Sequence, residues 1–302
     1  MNNYLSVILP THNPNESRFN QTLLGLKNQT LQFQYWELIV IDNNSNNIIT
    51  TDLSWHPNAQ ITREENTGLT YARLKGFKEA LGNIIIMVDD DNILQPDYLE
   101  RTILLFTQYP KLGAIGGKSF PNFEITPPIW LENFYGNLAL RDLGDDIIIA
   151  EWTNKYPDSA PIGAGMAIRK EALKNYVKKI NSEKNIIHDR KGNSLSSGGD
   201  NDIVLEILKG GWKVGYFPEL ILNHIIPKER TETKYLGRLL NNSNKSWIKL
   251  LDNHGINPWN RIPKWTVPFR KFKSWFTYSA WKNPVNYIKW QGACGIFDGL
   301  AK

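Results

Sequence analysis

Through the first hundred residues, short apolar runs alternate with stretches whose apolar positions recur at helical spacing. Leu5-Ser6-Val7-Ile8-Leu9-Pro10 predicts a first strand, and Phe19, Leu23, Leu24 and Leu26 predict a helix over 17–29. A second strand is expected over 36–41, a short third over 59–62, then a helix carrying Ala72, Phe77 and Ala80. The run Ile84-Ile85-Ile86-Met87-Val88 is apolar without alternation, as in a strand buried on both faces of a parallel sheet. A helix over 98–108 closes this part. Strand and helix exchanging at this pace predict βαβ units, hence an α/β chain with a Rossmann-like, mostly parallel sheet flanked by helices.

Beyond Leu112 the pattern changes. The glycine-bearing runs 113–117 and 162–168 read as strands where backbone or ligand approaches closely. Between them lies an irregular stretch with Pro127, Pro128, Trp130, Trp152, Pro157 and Pro161. A helix over 201–209 ends at Gly210-Gly211, and strands are expected over 212–217 and 219–222.

Composition adds limits. Of 302 residues, 41% are hydrophobic, enough for a substantial core. The single cysteine, Cys294, excludes an internal disulfide and fits a reducing compartment. The chain enters its first strand at once, so neither a signal peptide nor a membrane-spanning helix is expected, and the cytoplasm is the expected location. The net charge of +5 is uneven: residues 261–302 hold eight basic residues against Asp298, a net +7 that leaves −2 for everything before. A body with that balance is not expected to bind nucleic acid. In the tail, Trp265, Phe269, Phe272, Trp275, Phe276 and Trp281 are interleaved with lysines and arginines. That mixture on a helix suits contact with an anionic membrane; packing on the body and a dimer contact are the competing explanations.

Ligand sites of open α/β sheets lie beyond the strand ends, and carboxylates sit at two of those ends. Asp42 can accept a hydrogen bond from a uracil-like base or a ribose hydroxyl, or simply start the Asn-rich turn behind it. Asp89, Asp90 and Asp91 repel one another unless a cation joins them. On extended backbone Asp89 and Asp91 face the same side, which suits a divalent ion, Mn²⁺ or Mg²⁺, shared with substrate phosphates. Arg73, one turn into a helix, can reach a diphosphate, and so can Arg230. His224 follows an apolar run and is a candidate nitrogen ligand. Asp200, after Gly198-Gly199, is either a helix cap or a general base. Trp130, Trp152, Gly163 and Asp202 are the candidates for holding an acceptor, the tryptophans by stacking on sugar faces.

Taken together these stretches resemble glycosyltransferase family 2, enzymes of the GT-A fold. The matching residues are Pro10-Thr11-His12-Asn13, Val40-Ile41-Asp42-Asn43-Asn44-Ser45, Asn66-Thr67-Gly68 with Ala72-Arg73, and Val88-Asp89-Asp90-Asp91. Behind them come Gly163-Ala164-Gly165-Met166-Ala167-Ile168-Arg169, Gly198-Gly199-Asp200, Gly211-Trp212, Asn223-His224-Ile225-Ile226-Pro227 and Arg230. The resemblance implies that Thr11 and Asp42 line the base pocket of a nucleotide-sugar donor, a UDP-sugar favoured. Asp89 and Asp91 become the Asp-x-Asp motif at ribose and metal, with Asp90 alongside. His224 and Arg230 attend the metal and diphosphate, and Asp200 is the base of an inverting displacement. It also implies a donor half over 1–110, an acceptor and catalytic half over 111–230, and a helical basic, aromatic extension over 231–302.

The chain departs from the family where Gly199 replaces the usual Glu, His12 a commoner Tyr and Leu74 a usual Asn. The Gln-x-x-Arg-Trp signature of processive synthases is absent, so one sugar per encounter is expected. The expected acceptor is a hydroxyl of a glycan or lipid-linked saccharide in bacterial surface polysaccharide or glycoconjugate synthesis, met at the inner face of the membrane. Two other readings stand beside it. A non-catalytic sugar-binding scaffold is favoured by Gly199 alone. A sugar nucleotidyltransferase would need a glycine-rich basic loop where this chain has Thr11-His12-Asn13-Pro14.

Overall fold

Four strands, β1 (Leu5–Thr11), β2 (Trp36–Asp42), β3 (Ala59–Arg63) and β4 (Ile84–Met87), pair in parallel in the order β3-β2-β1-β4. The structure is a computed structural model and describes residues 4–182 and 198–302. Helices α1 (Glu16–Lys27) and α2 (Leu69–Glu79) make crossovers between these strands. Both faces of β1, β2 and β4 are apolar, which is why their runs lack polar alternation. Leu5, Val7, Leu9, Leu38, Val40, Ile84 and Ile86 enter one core, and Ile8, Ile39, Ile41, Ile85 and Met87 enter another.

Later strands join antiparallel. After β5 (Asn92–Leu94) and helix α3 (Tyr98–Gln108) come β6 (Leu112–Phe123), β7 (Ile148–Ala150), β8 (Ala167–Arg169) and β9 (Lys213–Ile226). β8 pairs with both β4 and β6, and β9 with both β5 and β7, completing a nine-stranded sheet. Helices α4 (Lys174–Asn181) and α5 (Gly199–Lys209) supply Tyr176, Ile180, Ile203, Val204 and Ile207 to the second core.

Three expectations change. The strand expected over 162–168 shrinks to β8, because Gly165 adopts φ +73°, a left-handed turn that ends extended backbone. A Cβ there would also sit 2.6 Å from Leu222 and 2.8 Å from the Tyr98 hydroxyl. The separate strands over 212–217 and 219–222 are one, β9, which passes through Pro218. The triple-Asp strand stops at Met87, and Asp90-Asp91 form a turn before β5.

The chain forms two compact units. One holds the described residues of 1–122, 139–186 and 203–225; the other those of 123–138, 187–202 and 226–302. In the second, α6 (Thr233–His254), α7 (Val267–Thr277) and α8 (Pro284–Leu300) dominate. α6 and α8 approach so closely that a Cβ on Gly295 would lie 2.1 Å from the Asn241 carbonyl oxygen. Asn241 and Asn244 donate from α6 to the Gln291 and Gly292 carbonyls of α8, each at 3.0 Å. Among the described residues no helix is long and apolar enough to cross a membrane.

Candidate functional site

Three chain reversals at the carboxyl ends of β1, β2 and β4 bring the sequence candidates together. Thr11 and Asp42 end β1 and β2 in register with each other, and both are buried. Asn13, at φ +48°, donates its backbone N–H to the Ser45 hydroxyl at 2.8 Å, and its side-chain oxygen accepts from the Asn46 N–H at 2.8 Å. The loops after β1 and β2 are thereby laced to each other. Buried Asn43 ties in a third: its amide donates to the Asn66 carbonyl and its oxygen accepts from the Gly68 N–H, both at 2.7 Å. Gly68 precedes α2, so this lacing sets where α2 begins and where Arg73 projects.

The acidic turn is tightly partnered. Thr11 donates its hydroxyl to Asp90. Asp89 accepts Asn92's N–H through its carbonyl at 3.0 Å, while the Asp89 N–H donates to the Asn92 side chain at 3.3 Å. The turn spoils the alternation expected of extended backbone: Asp90 faces Thr11, and Asp91 turns toward β9. Arg73 is buried, its guanidinium 3.9 Å from the half-exposed Asp89 carboxylate. Solitary surface cations are commoner for an arginine in this kind of helix; here its charge lies inside, beside a carboxylate.

Asp91 and His224 stand 133 positions apart in the chain and meet because Asn92 pairs with His224 across β5 and β9. The Asp91 Oδ1 to His224 Nε2 distance is 3.4 Å, and both side chains are buried. Asn92 donates to the same oxygen at 3.0 Å, and Ile225 donates to the Asp91 carbonyl at 2.8 Å. A carboxylate oxygen and an imidazole nitrogen about 3.0–3.4 Å apart have the spacing of two adjacent ligands on one divalent ion with bonds of about 2.1–2.4 Å. The donor set therefore fits a divalent cation. Asp89 does not complete a compact triad: among the described residues, Asp89, Asp91 and His224 do not all bring ligand atoms within 4.8 Å of one another.

Two neighbours of these residues were not singled out from the sequence. Arg63, at the end of β3 and in register with Asp42, donates to the Asp42 carboxylate at 2.7 Å and to the Asn44 side chain at 2.8 Å. Asn43 is the other. Arg63 follows a weak, half-exposed strand, and only the β2–β3 register puts it on Asp42; Asn43 was visible as part of the Asp-Asn-Asn-Ser run.

The remaining candidates lie on other elements and loops. Asp200 stands half-buried in the first turn of α5, its Oδ1 accepting from the Asn201 N–H at 3.0 Å. Asp202 is fully buried, with Oδ1 2.6 Å from His254 Nε2. Arg230 lies in the 3-10 turn Lys228–Thr231. Trp130 packs against Phe134 with ring centres 6.3 Å apart. Trp152 packs partly buried on the second core, with the Lys209 ammonium 5.5 Å from its ring centre. Gly163 is buried in the turn before β8, its carbonyl accepting from the Met166 N–H at 3.4 Å.

Comparison with known proteins follows the same geometry. Residues 6–177 match the family described as glycosyl transferase family 2. The glucosyl-dolichyl phosphate glucuronosyltransferase of Haloferax volcanii is 25% identical over 175 residues, 57% of this chain and 52% of that protein. The dolichol-phosphate mannosyltransferase of Pyrococcus furiosus is 30% identical over 108 residues, 33% of this chain and 29% of that one. This chain thus spans about half the length, or less, of these curated relatives. The crystal structure of S. aureus TarS 1–349 in complex with UDP-GlcNAc superposes with a TM-score of 0.55 at 15% identity, over 96% of this chain and 91% of that one. A likeness at that identity concerns the fold, and the fold shared is GT-A. With the family pattern covering more than half its length, the chain belongs to glycosyl transferase family 2.

Proposed function

We propose that this chain transfers one sugar per encounter from a nucleotide diphosphate donor, a UDP-sugar favoured, to a hydroxyl of a glycan or lipid-linked acceptor with inversion. The observation that carries this reading is the buried Asp91–His224 pair beside the acidic turn, where the ends of the parallel strands also gather Thr11, Asp42, Asp89 and Arg73. The solution of TarS with UDP-GlcNAc and with UDP supports uridine as the base. The names of the archaeal relatives support a lipid-linked acceptor. Such an acceptor would bring the chain, by its C-terminal extension, to the inner face of an anionic membrane.

Asp91 and His224 would hold the divalent ion, Mn²⁺ or Mg²⁺, with Asp89 at its margin. A bound ion would supply positive charge where a leaving diphosphate accumulates negative charge. Thr11 and Asp42 line the base pocket, with Arg63 orienting the Asp42 carboxylate. Arg73 fixes Asp89, Asp90 is held by Thr11, and Arg230 meets the diphosphate. Asp200 takes the proton of the attacking acceptor hydroxyl, acting without a second acid at Gly199. Residues 1–110 form the donor half and 111–230 the acceptor and catalytic half.

The test is a thermal-shift series with UDP, GDP, dTDP and CDP, with and without Mn²⁺, on wild type, Asp91→Ala and Asp200→Asn. Wild type is expected to gain about 2–4 °C with one nucleotide only when metal is present. Asp91→Ala is expected to lose that gain; Asp200→Asn keeps it while sugar transfer falls by about a hundredfold or more. No stabilisation by any nucleotide would replace the transferase reading with a degenerate binding protein.

A further inference from the structure

The C-terminal helices carry a surface that the donor site does not use. Trp265 precedes α7, and Phe269, Phe272 and Phe276 lie along it, so successive spacings of four, three and four place all four rings on one stripe. A stripe of this kind ordinarily faces a core. Here it faces out: the four are 73%, 70%, 69% and 55% exposed, and Trp281 beyond the helix is 54% exposed.

The inward face explains why the helix does not roll over. Val267 and Ser274 are buried there. The Lys271 ammonium turns in to the Asp298 carboxylate of α8 at 2.7 Å, and Trp290 Nε1 donates to the Lys271 carbonyl at 3.1 Å. Trp275 meets Trp290 edge-on with ring centres 4.7 Å apart. Rotating the aromatic stripe inward would break all of these together. The outward rings also brace one another, Phe276 lying 5.1 Å from Phe272 and 5.7 Å from Trp281.

Charge selects the occupant. Lys264, Arg270, Lys273 and Lys282 are exposed around the stripe. The one acid in residues 261–302, Asp298, is already engaged by Lys271. A second copy docked on this face would set cations against cations, because a two-fold interface presents the same patch twice. An anionic bilayer meets both demands, taking the rings below the headgroups and the cations at the phosphates. At 11 residues α7 spans only about 16 Å, half the thickness of a hydrocarbon core, so it lies in the plane of the surface.

We infer that α7, with Trp265 and Trp281 at its ends, is an interfacial helix that seats the chain on an anionic membrane, aromatic stripe down. This names the helix face behind the membrane contact proposed above and rests on that part of the reading alone. The donor residues take no part in it.

Co-sedimentation of the full chain with phosphatidylglycerol/phosphatidylcholine vesicles and with pure phosphatidylcholine vesicles, without nucleotide, tests it. Wild type is expected to bind the mixed vesicles at least about tenfold more tightly than the neutral ones, with the difference shrinking as salt rises. Phe269→Ser/Phe272→Ser/Phe276→Ser is expected to lose about tenfold or more of that binding while its melting temperature falls by no more than about 3 °C, since the rings are mostly in water. Lys264→Gln/Arg270→Gln/Lys273→Gln/Lys282→Gln is expected to erase the preference for anionic lipid. Wild type left in the supernatant, or a triple variant that binds as well as wild type, overturns the inference. A wild-type dimer that the triple variant converts to monomer, with neither binding vesicles, overturns it in favour of a second copy. Asp91→Ala must sediment like wild type, so a chain that binds vesicles but no nucleotide refutes the transferase reading and leaves this one standing.

Discussion

Phe33, Trp36 and Trp55 enclose the His56 ring, with Trp36 edge-on at 4.1 Å between ring centres. His56 is 3% exposed; its Nδ1 accepts from the Asn58 N–H at 3.1 Å, and its Nε2 has no hydrogen-bond partner among the described residues. Burial in this apolar cage pushes the imidazole down from 6.5 to about 4. Because the folded value is the lower one, the unfolded chain takes up a proton that the folded chain refuses. The contribution of a neutral His56 is therefore complete above about pH 6.5 and is lost as pH falls toward about 4, on the order of 3 kcal/mol in all. Urea unfolding of wild type and His56→Asn at pH 7 and pH 4.5 is expected to show a smaller pH dependence in the variant. Equal dependence in both would mean that His56 does not govern it. At this scale much of the candidate site was legible in the chain: Asp42 and Asp89 stand where an apolar run stops, Asp91 follows in the same acidic run, and His224 comes two positions after Leu222. Their partners were not, since Arg63 and Asp42, or Asp91 and His224, are joined by strand register between distant segments.

Between elements, the lacing of the loops by Asn43 is what turns strand ends into a site. Removing its side chain leaves the Gly68 N–H and the Asn66 carbonyl without their present partner in a buried place, a loss of about 2 kcal/mol or more. Asn43→Ala is expected to lower the urea midpoint accordingly and to weaken nucleotide-dependent stabilisation as well, because α2 and Arg73 are set by the same bonds. Unchanged stability would show the loops to be held by the Asn13–Ser45–Asn46 bonds instead. The apolar run at 84–88 announced β4 correctly, but its extension into the carboxylates did not follow: the reciprocal bonds of Asp89 and Asn92 favour a turn. Two strands, over 212–217 and 219–222, were likewise expected where β9 runs on through Pro218, because a proline's missing donor is tolerable wherever no partner requires it.

At the scale of the whole molecule, the apolar cores carry the fold, and the ligands proposed for a metal, Asp91, His224 and Asp89, are not among the core residues. Asp91, His224 and Asp89 offer fewer donors than a six-coordinate ion needs, so the donor's phosphates would complete the shell. Adding Mn²⁺ without nucleotide is therefore expected to move the melting temperature by no more than about 2 °C, with far-UV circular dichroism unchanged by EDTA. Collapse of secondary structure on chelation would instead reveal a structural metal. The periodicity of the chain by itself determined the α/β class, the parallel strands at the start and the carboxylates at their ends, because burial on one or both faces of a strand is written in neighbouring residues. It also determined that the tail would be helical, aromatic and basic. Only the tertiary structure decided that Asp91 faces His224, that Asp202 is spent on His254, and that the aromatic stripe of α7 points outward. Those outcomes depend on which distant segment occupies the adjoining space, here Asp298 and Trp290 claiming the inner face of α7, and spacing along the chain carries no information about that competition.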